Sequence, residues 1–468
     1  MSIINYMFIS SRMLNWLFPL FAFLLPLQTR WIIRDEVVGT SAWEYGRISL
    51  YGFDAALIVI AALIIIRKVI KSRAHQNQGN DNVHHAGRRS ATPLFTLLGV
   101  LFMAYEWYFA LDPMLTLIVV LRLGLIGIAM GYVFHAEPLL VRRTLAAFVV
   151  AMMISSGLGV AQFIAQDDLV SSKWLGLAPQ EASTLGVSVV EATGGRWLRG
   201  HGTMPHPNAL GGFAALAFTL FLVLRTTSSN VQESSRPLII WCESAFMIAA
   251  PLILIAGVIT SVSRAAMIAW AVSLAIFLWQ RIQRQAVVFN ARFFMTVAAG
   301  TIIVLLFALP ALSVRLRGQG RLESLSFTKR AAAFTQALAV SRDHWATGTG
   351  LGGITVAMRV RFPALPIWDI QPVHNVPVLL AVELGVGGLL ILSIGLLFIR
   401  KIFNFSRCSG IPRAGQFSIF KIGPWSSVIA CLLVLAMLDH YLWTLAAGLY
   451  LMGIMGASLA LDRGTRNS

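Results

Sequence analysis

Three short stretches of this sequence gather residues that could do chemistry. The first is Pro372-Val373-His374-Asn375-Val376-Pro377. Asn375 suits a helix N-cap, and Pro377 then sits in the first turn, where a missing N–H costs nothing. His374 is left without a structural task. A neutral imidazole at a helix start can accept a proton from a hydroxyl, and its ordinary pKa of about 6.5 suits that role; an ordinary interfacial histidine is the competing reading. The second stretch holds Arg196, Arg199, His201 and His206, with Asn208 placed to cap a helix. No acidic residue lies nearer than Glu191, so two guanidiniums, a helix start and two histidines fit a diphosphate. Snorkelling at a membrane boundary is the alternative for the arginines. The third is Thr260-Ser261-Val262-Ser263-Arg264. So short a hairpin between apolar runs leaves Arg264 at or inside the boundary, where a charge is costly and more often functional.

The elements that position these residues must lie in a membrane. Of 468 residues, 57% are hydrophobic and 12% charged, about half the charged share of a soluble domain, and the mean hydropathy is +0.74. A soluble enzyme and a disordered chain are both excluded. The net charge of +17 alternates with membrane-length segments instead of forming one solvated basic face, so it points to orientation in a bilayer and not to nucleic acid. About twelve spans can be marked, near residues 11–28, 48–66, 93–110, 114–134, 144–163, 208–225, 241–260, 265–280, 293–310, 376–399, 425–443 and 445–461, about the length that crosses a hydrocarbon core of roughly 30 Å. The expected fold is therefore all-α, a single polytopic transmembrane domain over 1–468.

With the N-terminus inside, the inner segments hold 21 Lys and Arg and the shorter outer loops seven, which places both termini in the cytoplasm. The first apolar run carries no clear cleavage site and reads as a retained span. The segment 67–92 is then a cytoplasmic loop; its His75, His84 and His85 read as part of a polar linker before a metal site. Segments 164–207 and 311–373 face outward. Cys242, Cys408 and Cys431 show neither a disulfide framework nor a metal-ligand spacing.

The loop 311–373, between the ninth and tenth spans, carries eight basic and three acidic residues. A tolerated basic surface and an electropositive funnel for an anionic substrate both fit; in the second, Arg321 and Arg330 would contact that substrate. Phe327, Ala331, Phe334 and Leu338 recur at helical spacing, an amphipathic helix with Lys329 and Arg330 off its apolar face, expected to pack over the spans before lying in the interface. Gly348-Thr349-Gly350-Leu351-Gly352-Gly353 follows no strand and reads as a sharp turn before a phosphate cradle. Asp54, Glu106, Arg122, Glu383 and Asp439 lie within marked spans. Glu383, nine residues after His374, falls on the opposite helix face and is a poor dyad partner.

Taken in order, HGTMPHPNALGG (201–212), TSVSRAAMIAW (260–270), GTGLGG (348–353) and HNVPVLLAVELGVGGLL (374–390) resemble the O-antigen ligase and O-antigen polymerase superfamily. The likeness covers roughly residues 190–400; the earlier part agrees only in being a series of spans. It implies an all-helical, metal-independent, inverting glycosyltransferase at the outer face of a bacterial inner membrane, without cofactor. Its donor would be a glycan on undecaprenyl diphosphate and its acceptor a lipid- or sugar-linked saccharide: lipid A core sugar for a ligase, another repeat unit for a polymerase. Carried over by motif, His374 would orient or deprotonate the acceptor, while Arg199, with Arg196 beside it, and Arg264 would hold the diphosphate; His206, Asn208 and Asn375 fall in the same motifs. A lipid-linked glycan flippase is the alternative from another class, weakened by the lack of an internal repeat.

Overall fold

The structure, a computed structural model, describes residues 3–39, 41–77, 92–133, 138–172, 175–177, 179–184, 186–192, 195–226, 237–283, 291–317, 321–405, 423 and 425–461. The chain begins with α1 (Ile3–Leu24), a β-hairpin of β1 (Arg30–Arg34), β2 (Val37–Val38), β3 (Ser41–Ala42) and β4 (Ile48–Tyr51), and then α2 (Gly52–Asn77), α3 (Thr92–Tyr108), α4 (Pro113–Val133) and α5 (Pro138–Ala165). A second hairpin, β5 (Val189–Ala192) and β6 (Gly195–Leu198), leads into α6 (Pro207–Thr226), α7 (Pro237–Thr260), α8 (Arg264–Gln283) and α9 (Ala291–Arg317). The long loop folds as α10 (Arg321–Asp343) and α11 (Ile354–Arg361), followed by α12 (Val376–Phe405), α13 (Ser426–Leu438), α14 (Tyr441–Thr444) and α15 (Ala446–Leu461).

Each marked span contains a helix, but 48–66 begins in β4 and 425–443 breaks after Leu438. Among the described residues, six helices are long and apolar enough to cross a membrane, and five further apolar helices are shorter; a topology of about twelve crossings belongs to the proposal below. Four helices start on proline, α4 to α7, where the fixed φ is already helical and no N–H is lost. Asp112 caps α4 by accepting from the N–H groups of Met114 and Leu115, both at 3.1 Å. The polar linker with His84 and His85 lies outside the described residues, as does the side chain of His75.

The all-α expectation needs correction at the helix ends. Antiparallel β1 and β4 pair Arg30 with Tyr51 and Trp31 with Leu50, with a bulge after Ile32, and β2 pairs β3 at the tip. Trp31-Ile32-Ile33 and Val37-Val38 before Gly39 carry β-branched and aromatic residues beside a turn residue, so this connection between helices pairs its backbone. Helix α6 lies at the centre, buried from Pro207 to Val223. Its small residues permit this: Gly211 faces Ser261 and Ala266, and Gly212 faces Tyr441 so closely that a Cβ there would clash.

The amphipathic helix also differs from expectation. Phe327, Phe334 and Leu338 are exposed, whereas Ala333, Ala337 and Val340 are buried against Trp43, Ile354, Met358 and Val373. The small residues pack because they let α10 approach closely; the large apolar stripe faces out, as an interfacial helix would place it.

Candidate functional site

Four stretches far apart in sequence converge where α6, α8 and α12 begin and α7 and α13 end. Thr260 accepts from the Gly200 N–H at 3.0 Å and Ser261 O from Arg199 Nε at 2.8 Å, locking the second motif onto the first. Val262 sits between them, buried, at φ 49°, a conformation a β-branched residue adopts only when its surroundings impose it. Asn375 caps α12, its Oδ1 accepting from the Val378 N–H, while its Nδ2 donates to Met437 O at 3.0 Å, tying the third motif to the end of α13.

Beyond Leu438 the helix breaks. Asp439 and His440 occupy the break before the single turn of α14. Irregular backbone this close to a membrane helix is tolerated where it lines a polar cavity, and it does so here. A cavity of about 530 Å³ is lined by His201, His206, Asn208, His374, Glu383, Asp439, His440 and Trp443, among others. Asn208 is not the cap its position suggested. It accepts from Arg199 Nη2 at 2.6 Å and donates to Asp439 Oδ2 at 3.0 Å, a buried relay between a guanidinium and a carboxylate. The cap of α6 is His206, whose Nδ1 accepts from the Asn208 N–H at 3.0 Å and whose Nε2 meets Ser188 Oγ at 2.9 Å. Burial first, then the proximity of Arg199, lowers the pKa of His206 to about 3.

The His374 ring meets that of His440 edge to face, centroids 4.8 Å apart. Its Nδ1 is buried without a hydrogen-bond partner, and the residue lines the cavity. Burial first, then the proximity of His440 and Arg330, lowers its pKa to about 3, against the pull of Asp439. His374 is thus neutral at pH 7 and able to accept a proton. His440 holds Thr444 Oγ1 through Nδ1 at 2.8 Å. His374, Asp439 and His440 each offer a ligand atom within 4.8 Å of one another, a set that could hold a cation although no sequence spacing suggested one.

The arginines stand behind this wall: none of Arg196, Arg199 and Arg264 lines the cavity. Arg199 is buried, Arg196 donates to Thr184 O at 3.1 Å, and Arg264 lies over the Phe327 ring of α10, 4.2 Å from its centroid. Arg330 reaches Leu438 O at 3.4 Å, next to Asp439. Arg321 opens α10, and its side chain lies outside the described residues.

The glycine turn is a cradle for the protein itself. Gly348, Gly350 and Gly352 all have φ between 74° and 81°. The N–H groups of Thr349 and Gly350 reach Glu383 O at 3.1 Å, and those of Gly352 and Ile354 reach its carboxylate. Trp443 Nε1 completes the set at 2.8 Å. Glu383 and His374 both line the cavity, but His374 precedes α12, so the helical spacing read from the sequence does not govern their separation. Asp439 and His440 are the site residues that motif reasoning passed over; the available signal was an acid and a histidine within an apolar span.

No curated protein matches the chain. Residues 249–393 match the family model described as O-antigen ligase, a match that takes in the α7–α8 turn, the long loop, the glycine turn and His374.

Proposed function

We propose that the chain is a metal-independent, inverting glycosyltransferase that moves a glycan from undecaprenyl diphosphate to a lipid- or sugar-linked acceptor, with about twelve spans and its cavity on the periplasmic side of the inner membrane. The observation that carries this reading is the convergence of the three motifs and Asp439 on one polar cavity. In a single displacement the acceptor oxygen attacks the anomeric carbon while its proton passes to His374. The bond from that carbon to the diphosphate oxygen breaks, and its electron pair leaves on the diphosphate. Displacement on the opposite face inverts the carbon. A bound donor also raises the proton affinity of His374, because two phosphate charges nearby favour the imidazolium.

In this reading the diphosphate reaches Arg264 and Arg330 on the α10 side, neither of which lines the cavity, and Arg199 acts through Asn208 and Asp439. The metal-independent reading rests on Asp439, whose oxygens already accept from Asn208 Nδ2 and the His440 N–H, and on the Arg330 cation beside it, which opposes a second cation. Ligase and polymerase share this donor chemistry and differ in acceptor. The test is transfer from polyprenyl-diphosphate glycan in membranes by His374→Ala and Arg264→Ala. Loss of about 100-fold or more is expected from removing a base; normal turnover in both would remove the assignment. Labelled glycan crossing proteoliposomes without glycosidic transfer would favour a flippase.

A further inference from the structure

The cavity has a second wall, contributed by the β1–β4 hairpin and α4, outside the segment that matches the family model. Arg30, Glu44, Tyr45, Arg47, Tyr51 and Arg122 all line it. Three guanidiniums therefore face the cavity with one carboxylate, Glu44, among them. Two of the counter-ions stand behind the wall. Asp35 takes Arg47 Nε at 2.6 Å and Asp54 takes Arg122 Nη2 at 2.8 Å. Neither carboxylate is a lining residue, so these contacts orient the two forks from behind, while Arg47 Nη1 also meets Glu44 Oε2 at 3.4 Å. Arg30 pairs with Glu44 itself and lies against Tyr51.

The wall is rigid and close to the reacting groups. Arg34 fastens the hairpin to Asp112 at 2.6 Å and to Gly46 O at 2.9 Å, and Arg359 of α11 fastens it from the other side through Glu36 at 2.9 Å. The Tyr45 ring meets the His440 ring edge to face at 6.4 Å, and His440 in turn meets His374. A ligand held on this wall lies next to the proposed base. Oriented guanidinium forks beside tyrosines match a sugar ring that carries a carboxylate or phosphate, because the forks bind such oxygens in pairs and an aromatic face takes the ring's C–H edge.

Resting on the transferase reading, we propose that the Arg30–Arg47–Arg122 wall is the acceptor subsite and selects an acceptor sugar bearing an anionic group. The experiment is equilibrium binding to the purified full chain in nanodiscs, using three disaccharides that end in glucuronic acid, glucose 6-phosphate or glucose, with inorganic pyrophosphate as a fourth probe. At least one acidic disaccharide is expected to bind about tenfold more tightly than the neutral one, the worth of one charge-assisted contact; which of the two does so identifies the anion. Arg47→Gln should abolish that preference. Glu44→Gln should tighten acidic binding severalfold, a gain that misfolding cannot produce. Equal binding of all three sugars, an unchanged preference in Arg47→Gln, or no gain in Glu44→Gln would overturn the proposal. So would pyrophosphate binding more tightly than either acidic sugar and losing affinity in Arg47→Gln, which would give the wall to the donor. Because binding is read without turnover, a chain that binds acidic sugars yet transfers no glycan would overturn the transferase reading and leave the anion-selective sugar subsite standing.

Discussion

Two histidines at the cavity are held neutral chiefly by burial, and the consequences differ. His206 spends both nitrogens on capping α6 and on Ser188, so protonation breaks the cap. His374 lines the cavity, its Nδ1 without a hydrogen-bond partner. For each, a folded pKa near 3 lies below the unfolded value of about 6.5, so the stability they contribute is full above pH 6.5 and is lost as pH falls through that window. Thermal unfolding in detergent should therefore show the midpoint falling from pH 6.5 downward, less so in His206→Asn, whose amide oxygen can still accept. In the proposed transferase the same displacement sets the pH dependence of turnover. The acid limb of kcat/KM against pH should break well below pH 6, and a break at the ordinary histidine value would remove His374 as the free enzyme's base. Asn208 is the other residue whose role is narrow. Asn208→Leu leaves Arg199 and Asp439 without their common partner, which costs about 1–3 kcal/mol per buried group, and the unfolding midpoint and turnover should fall together.

At the scale of elements, backbone conformation holds the site as firmly as side chains do. The turn before α11 needs positive φ at three glycines, and Gly350 also packs against Ala110 and Thr116. Gly350→Ala should destabilise by at least the roughly 1–2 kcal/mol of a left-handed residue, and more because its Cβ meets backbone. Val262 is the reverse case: Val262→Gly relieves the strain but removes a buried side chain, so stability should change little while the position of Ser261 against Arg199 loosens and turnover drops. The contact of Arg264 with Phe327 links α8 to α10. Phe327→Leu removes a cation–π contact of about 1 kcal/mol and should raise the donor KM more than it lowers kcat if α10 helps present that arginine.

Across the whole molecule, the buried Asp54–Arg122 pair joins α2 to α4, and Tyr450 of α15 hydrogen-bonds the same carboxylate. Removing Asp54 alone strands a charge among the helices. Asp54→Ala should cost about 3–5 kcal/mol, measured by unfolding in detergent, and restoring charge balance with Arg122→Met should recover most of it. Orientation is testable at the same scale. With the three native cysteines replaced, Thr335→Cys on the exposed face of α10 should react with an impermeant maleimide in right-side-out vesicles and not in inverted ones; the opposite result would invert the proposed topology. A chelator should leave turnover unchanged, and restoration by a divalent cation after chelation would instead assign His374, Asp439 and His440 to a metal.

Much of this was legible in residue order, because hydrophobicity and local geometry are short-range. Runs of apolar residues fixed where helices form, and Asn375 before Pro377 announced a cap. Which face of α10 packs was not legible, since alanine packs closely and phenylalanine is equally at home against lipid; only the neighbouring Trp43 and Val373 decide. Nor could local pattern show that Asn208 would bridge instead of cap, or that a break after α13 would bring Asp439 and His440 to His374. Those pairings join residues from 65 to 231 positions apart. The sequence by itself determined a membrane-embedded chain with three motifs at helix ends. Tertiary structure alone decided that these ends share one cavity, that the arginines stand behind its wall while a hairpin supplies others in front, and that a carboxylate from the far end of the chain completes the site. The physical reason is that charge and hydrogen bonding in a low-dielectric interior are settled between partners in space.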